Sequence, residues 1–233
     1  MFQISDPRLA PRLVRVIPPA GYARTDRRFP VLYAHDGQVA IGEGLRVRSA
    51  VESLVRRGAI RPHIIVAVDA SAARSRELKP LPRSPSLTDY GNLLVMQIKP
   101  LVDRHFRTLP GRASTAVIGY SLGGLANVYL MMRFPTVFGR VACMSPSLWW
   151  RGGRAVRDFA RHRGQLPARL WIDAGAEERG FLRHTRGLRR LALRRGMVLG
   201  RDLGYLEQPG AAHGFGAGGA RMHLALGFVL AER

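Results

Sequence analysis

Ala116-Val117-Ile118-Gly119-Tyr120-Ser121-Leu122-Gly123-Gly124 is the stretch on which the fold turns. A short apolar, β-branched run reaches Gly119, and from Leu122 to Phe134 the apolar spacing is helical, stopping before Pro135. Between the two lies G-x-S-x-G, the pattern of a nucleophile elbow when a strand precedes it and a helix follows. So tight a turn needs small residues flanking the serine, and Gly119 and Gly123 supply them. Gly124 lets the helix lie close to the sheet. This geometry pushes the Ser121 hydroxyl out at the carboxyl edge of the sheet, with the Leu122 N–H at the helix start as an oxyanion donor.

Reading outward, further apolar runs repeat the pattern. Val31–Ala34 precedes Asp36-Gly37, Ile64–Val68 ends at Asp69, Val141–Met144 at Ser145-Pro146, and Leu170–Ile172 at Asp173. Near-continuous apolar strands are buried on both faces, as in a parallel sheet. Leu13–Ile17 alternates and suits an edge, and Leu203–Leu206 is the last strand candidate. Helical spacing fills the intervals at Leu45–Arg57, Thr88 (as cap) to about Phe106 with a restart at Pro100, Phe181–Arg195, and Gly219–Glu232. Ser71–Ser86 reads as a long loop and Gly214–Gly219 as a flexible one. Alternation of this kind predicts an α/β fold, a mostly parallel central sheet with helices on both faces, built as one domain over residues 1–233.

A serine hydroxyl needs a base. In this architecture the order is serine, acid, histidine. Of seven histidines, His213 lies among small residues directly after the last strand candidate. The acid belongs after Leu170–Ile172, where Asp173 is still on the strand while Glu177 and Glu178 are in the loop. A second oxyanion donor belongs after Val31–Ala34, where Gly37 lets the backbone turn and makes the Gln38 N–H the candidate. His35 and Asp36 precede the serine and point to opposite faces of a strand, which argues against a direct catalytic part.

In this order the motifs resemble the putative esterase (esterase D) family of α/β-hydrolases, nearest to its enterochelin and siderophore esterase branch. Arg15–Tyr22 resembles the family's opening strand and P-x-G-Y turn. Phe29–Gln38 resembles YPVLY-x-x-DGQ, Arg76-Glu77-Leu78 stands where many members carry REY, and Met144–Trp150 resembles SPSLWW. The resemblance covers nearly the whole chain. It implies an α/β-hydrolase fold and a serine esterase that works through an acyl-serine intermediate. Ser121 would be the nucleophile, His213 the base and Glu178 the acid, although some enzymes of this type work as Ser–His dyads. The chain is shorter than the secreted siderophore esterases and lacks the extra N-terminal domain of the cytoplasmic enterochelin esterase, so the substrate stays open. The same scaffold carries acyltransferases.

Composition bounds the rest. Formal charge is +21, and of 37 basic residues only Lys79 and Lys99 are lysine. Such a field attracts anions. It points to anionic or aromatic esters met by Arg74, Arg76 and Arg83 of the long loop, with Trp149 and Trp150 stacking an aromatic acyl group. Arg183, Arg186, Arg190 and Arg194 lie near one face of a helix, which leaves polyanion binding on a hydrolase fold as the alternative. No aromatics interleave with them, so a nucleic-acid partner is not expected. The single Cys143 excludes an internal disulfide, and no H-E-x-x-H or clustered ligand set suggests a metal. No cofactor is expected. No apolar run is long enough to span a bilayer. The N-terminal segment, broken by Asp6, Pro7 and Pro11, lacks a secretory h-region, which predicts a cytoplasmic protein.

Overall fold

The computed structural model describes residues 1–232. Its strands are β1 (Phe2–Asp6), β2 (Leu9–Ile17), β3 (Val31–His35), β4 (Ile64–Val68), β5 (Thr115–Tyr120), β6 (Arg140–Met144), β7 (Arg169–Gly175) and β8 (Leu203–Gln208). Its helices are α1 (Gly37–Ala40), α2 (Val47–Arg56), α3 (Arg74–Glu77), α4 (Leu87–Asn92), α5 (Lys99–His105), α6 (Leu122–Arg133), α7 (Trp150–Arg161), α8 (Arg179–Arg194) and α9 (Phe215–Leu230). The strands form one eight-stranded sheet in the order β1-β2-β4-β3-β5-β6-β7-β8. β1 and β2 run antiparallel to their neighbours and the other six are parallel.

The doubly apolar strands divide their side chains between two cores. Val31 and Tyr33 of β3, Val66 of β4, Val117 of β5 and Cys143 of β6 face a cluster completed by α4 to α8. The alternate residues Leu32, Ile65, Ile118 and Met144 face a second cluster completed by α2 and α9. A strand has a side-chain period of two, so coverage on both faces requires apolar residues at successive positions.

Several expectations are corrected. β1 was not expected. Its apolar positions, Phe2 and Ile4, are too few to show a period, yet both pack against the core next to β2. α7 was also missed, because only Ala155 and Phe159 are buried hydrophobics on it among a run of arginines. Arg151, Gly152 and Gly153 have left-handed φ at its start. Helix α4 is capped by Ser86 rather than Thr88, in a capping box with Asp89. It continues through a π-helical turn over 93–98 into α5, which carries Pro100 in its first turn. The Ser71–Ser86 segment contains α3, whose Glu77 is buried against Arg12 (2.9 Å). Residues 215–219 are helical rather than a loop, as α9 starts at Phe215.

His63 lies buried at the start of β4, with Nδ1–H donating to the Arg61 carbonyl (2.7 Å). Burial, opposed by that hydrogen bond and reinforced by Arg61 and Arg140, lowers its pKa to about 4. The unfolded chain therefore binds the proton first on acidification, and stability is lost as pH falls from about 6.5 toward 4. The loss approaches about 3 kcal/mol at the acid end of that window. Thermal melts across the window should fall less steeply for His63→Gln than for the unaltered protein. Equal slopes would contradict this.

Candidate active site

The parallel strands deliver their following loops to one edge of the sheet. β3 and β5 are neighbours whose connections leave in opposite directions, the crevice where open α/β sheets place their ligands. Ser121 sits there with φ 58° and ψ −116°, a strained conformation for a residue with a Cβ. The turn is held because the Ser121 N–H donates to the Met144 carbonyl (2.9 Å) while its own carbonyl accepts from the N–H groups of Leu125 and Ser147 (3.0 Å each). A Cβ at Gly119 would stand 2.4 Å from the backbone of Gly123. One at Gly124 would meet the Met144 carbonyl at 2.9 Å. The Leu122 N–H has no backbone acceptor among the described residues.

His213 Nε2 lies 3.0 Å from Ser121 Oγ, and its Nδ1 lies 2.9 Å from Glu178 Oε2. A carboxylate only accepts, so Nδ1 carries the proton and Nε2 is left to accept from the serine. The imidazole is stacked between Phe181 (ring centroids 4.5 Å) and Tyr120 (5.0 Å). Glu178 stands at the N-terminal boundary of α8 and is buried, while Glu177 is exposed. Burial pushes the Glu178 carboxyl up. Hydrogen bonds from His213, from Ser145 Oγ (2.6 Å to Oε1) and from the Gly175 N–H (3.0 Å to Oε1) outweigh it and hold the group below the usual glutamate range. Gly175 is required by close approach. A Cβ there would stand 2.1 Å from the Ala211 carbonyl, which accepts from the Glu177 N–H (3.1 Å) and ties the loop before His213 to the loop of the acid.

After β3 the left-handed residue is Asp36 (φ 56°), not Gly37. Gly37 is needed because a Cβ would collide with Asp69 and the backbone of β4. Arg74 grips the Asp36 carboxylate with two hydrogen bonds (2.5 and 2.7 Å). The Gln38 side chain accepts from the Ala70 N–H (2.9 Å), and its backbone N–H has no backbone acceptor among the described residues. His35 is buried under the elbow, with its ring nitrogens bonded to the Tyr90 hydroxyl (2.6 Å) and Asn127 Oδ1 (2.7 Å) rather than to the serine or His213.

The remaining candidates divide. Trp149 is 47% exposed and meets Phe181 edge-on at 6.2 Å, which places it beside the His213 stack. Trp150 is half-buried and packs against the core with Arg151 over its ring. Arg76 and Arg83 are exposed, whereas Arg74 is committed to Asp36 and is not free for a ligand. On α8, Arg186 is paired with Glu207. Tyr120, Phe181, Ser145, Ser147 (Oγ 3.2 Å from Ser121 Oγ), Asp173 and Arg221 join the site without having been singled out as its members. The SPSLWW-like stretch held a signal for the two serines. Nothing in the pattern marked Arg221, which reads as one more surface arginine. No group of three potential metal ligands occurs among the described residues.

A parallel sheet in this order, with a strained serine after β5 and a histidine after β8, is the α/β-hydrolase architecture, a class of largely hydrolytic enzymes. Comparison with known proteins narrows the class. Residues 10–221 match the family described as "Putative esterase", and the chain belongs to that family, whose chemistry is ester hydrolysis. It is 31% identical over 134 residues to the iron(III) enterobactin esterase of Dickeya dadantii, a match covering 56% of this chain but 29% of that protein. The enterobactin esterase of Shigella flexneri, solved in the presence of enterobactin, superposes with TM-score 0.78 at 21% identity, over 98% of this chain and 57% of that one. A ferulic acid esterase from Anaeromyces mucronatus superposes with TM-score 0.78 at 20% identity, over 98% and 89%. At these identities the two structural matches speak for the fold. No helix of the described residues is long and apolar enough to cross a membrane.

Proposed function

We propose that residues 1–233 act as one serine esterase domain that cleaves carboxylic esters through an acyl-enzyme on Ser121. The observation that carries the reading is the unbroken relay Ser121 Oγ–His213 Nε2–Glu178 Oε2, at 3.0 and 2.9 Å. Ser121 Oγ attacks the ester carbonyl as its proton passes to Nε2 of His213. Glu178 holds the imidazole by Nδ1–H and stabilises the imidazolium. The negative oxygen of the tetrahedral intermediate is met by the N–H groups of Leu122 and Gln38. His213 then protonates the leaving alcohol, the C–O bond breaks, and water repeats the sequence to release the acid and free Ser121. The protein is expected in the cytoplasm, which cell fractionation tests.

The acyl group we favour is aromatic, in line with the exposed Trp149 beside Phe181. The names of a ferulic acid esterase and an enterobactin esterase among the similar proteins point the same way. With a charge of +21 and Arg76 and Arg83 exposed, an anionic ester should be preferred over a neutral one of equal size. Its advantage in kcat/KM should shrink as salt rises, because the Debye length contracts to ~8 Å near physiological ionic strength. An advantage that ignores salt would remove the electrostatic part of the reading. A panel of aryl, short acyl and siderophore esters assayed against Ser121→Ala tests the rest.

Glu178→Gln should lower kcat by about 10²–10⁴-fold, less than His213→Ala, since the histidine loses its orienting carboxylate but stays in place. Glu177→Gln should be silent. If both glutamate variants were silent, the enzyme would be a Ser–His dyad. If only Glu177→Gln were damaging, the acid would be the exposed neighbour.

A further inference from the structure

Beneath Glu178 lies a buried charge cluster that the reaction scheme above does not use. Arg221 of α9 is 2% exposed and is among the largest fully enclosed side chains. Its Nε–H donates to Asp173 Oδ1 (3.0 Å), its Nη1 to the Ala217 carbonyl (3.0 Å) and its Nη2 to Ser145 Oγ. Nη2 also lies 3.6 Å from Glu178 Oε1. Asp173 of β7 is fully buried and meets only donors: Arg221, the Trp171 indole N–H (2.7 Å) and the Ser145 N–H (3.0 Å). Burial raises this carboxyl above the usual aspartate range, and the Arg221 guanidinium, the Trp171 indole and the Ser145 N–H oppose that rise. Ser145 is held at φ 36°, a left-handed conformation that a residue with a Cβ takes only when its surroundings impose it.

We propose that Arg221 is a positioning residue for the esterase relay, tuning through Glu178 and Asp173 the pH at which His213 is free to act as base. The proposal rests on the Ser121–His213–Glu178 reading. Arg221 and Ser145 occupy the Oε1 side of Glu178, so that Oε2 alone is presented to His213 Nδ1. Two buried carboxylates face one buried guanidinium, and the cluster therefore carries one net negative charge. That charge is met when His213 accepts the proton of Ser121. The guanidinium opposes a proton on the imidazole before attack, while Asp173 tempers the guanidinium.

The other groups around His213 are neutral or outward. Tyr120 of β5 stacks on its ring with the hydroxyl 3.4 Å from Nδ1, Phe181 of α8 covers the opposite face, and Ser121 follows β5. Glu177 and Arg179 flank Glu178 in sequence and are exposed. The field of Arg221 reaches this side of the cluster. Its Cζ lies 5.9 Å from the Tyr120 ring centroid, and it opposes the rise that burial gives the Tyr120 hydroxyl.

The test is the acid limb of the pH profile of kcat/KM for Arg221→Met, Asp173→Asn and the double variant, with melts to verify folding. Arg221→Met removes the repulsion and should move the limb upward by about one pH unit, the scale for a charge near a titrating group. Asp173→Asn leaves the guanidinium untempered and should move it downward. The double variant removes both charges and should return the limb to within a few tenths of the unaltered protein. A structural role alone lowers the rate or the melting temperature and leaves the limb in place. Limbs that stay put, or that move in the same direction in both single variants, overturn the proposal. If Arg221→Met does not fold, the downward shift in Asp173→Asn and its reversal in the double variant decide the matter. Full activity in Ser121→Ala would defeat the relay itself. An inactive Ser121→Ala with unmoved limbs would defeat only the part given to Arg221.

Discussion

Ester hydrolysis by Ser121→Ala should fall by about 10⁴-fold or more in kcat, the scale at which removing a serine nucleophile leaves only binding and oxyanion stabilisation. The substitution removes one oxygen from an exposed edge and leaves the turn intact, because the backbone bonds to Met144, Leu125 and Ser147 do not involve that oxygen. The melting temperature should hold or rise slightly, since a strained functional residue is being relieved of nothing the fold needs. KM, where residual activity permits its measurement, should change little. A variant that kept its rate would show that Ser121 does not carry the acyl group.

The second large effect is expected at Gly119. An added Cβ would lie 2.4 Å from both the carbonyl carbon and oxygen of Gly123 and 2.8 Å from the His35 ring. The first two are backbone atoms of the opening turn of α6, so no side-chain rotation relieves the clash. Gly119→Ala should therefore destabilise the protein by about 3 kcal/mol, at the upper end for overpacking. It should also reduce kcat, because the only available relief moves Ser121 or the Leu122 N–H out of line. Misplacement by about 1 Å can cost about 10²-fold. Gly180→Ala, where an added Cβ meets nothing within 4 Å, is the control and should leave both quantities nearly unchanged. Equal behaviour of the two variants would contradict the account of the elbow.

Much of this site was legible because its residues sit where topology must put them. The strand–turn–helix around Ser121 is written in local spacing, and the acid and histidine loops follow from chain order along a parallel sheet. Spacing alone leaves Glu177 and Glu178 level, and it is the family resemblance that singles out Glu178; the physical contrast between them is that Glu178 faces the Gly175 N–H and Ser145 while Glu177 is exposed. The reason for Gly37 was misread for a related cause. Sequence suggests a turning glycine, while the demand comes from β4, which is distant in the chain. α7 hid because a helix that buries little besides Ala155 and Phe159 shows almost no apolar period. Arg221 hid because composition treats every arginine as surface, and only three-dimensional packing places this one between two carboxylates.

The most direct test of the central claim is to trap the acyl-enzyme. The protein is mixed with an activated aryl ester, quenched in acid during turnover, digested and weighed by mass spectrometry. One acyl group per chain is expected, located on Ser121 in the peptide containing Gly119 to Gly124 and absent from Ser121→Ala. An acyl group on another residue, or turnover with Ser121 never modified while the alcohol appears in a burst, would contradict it.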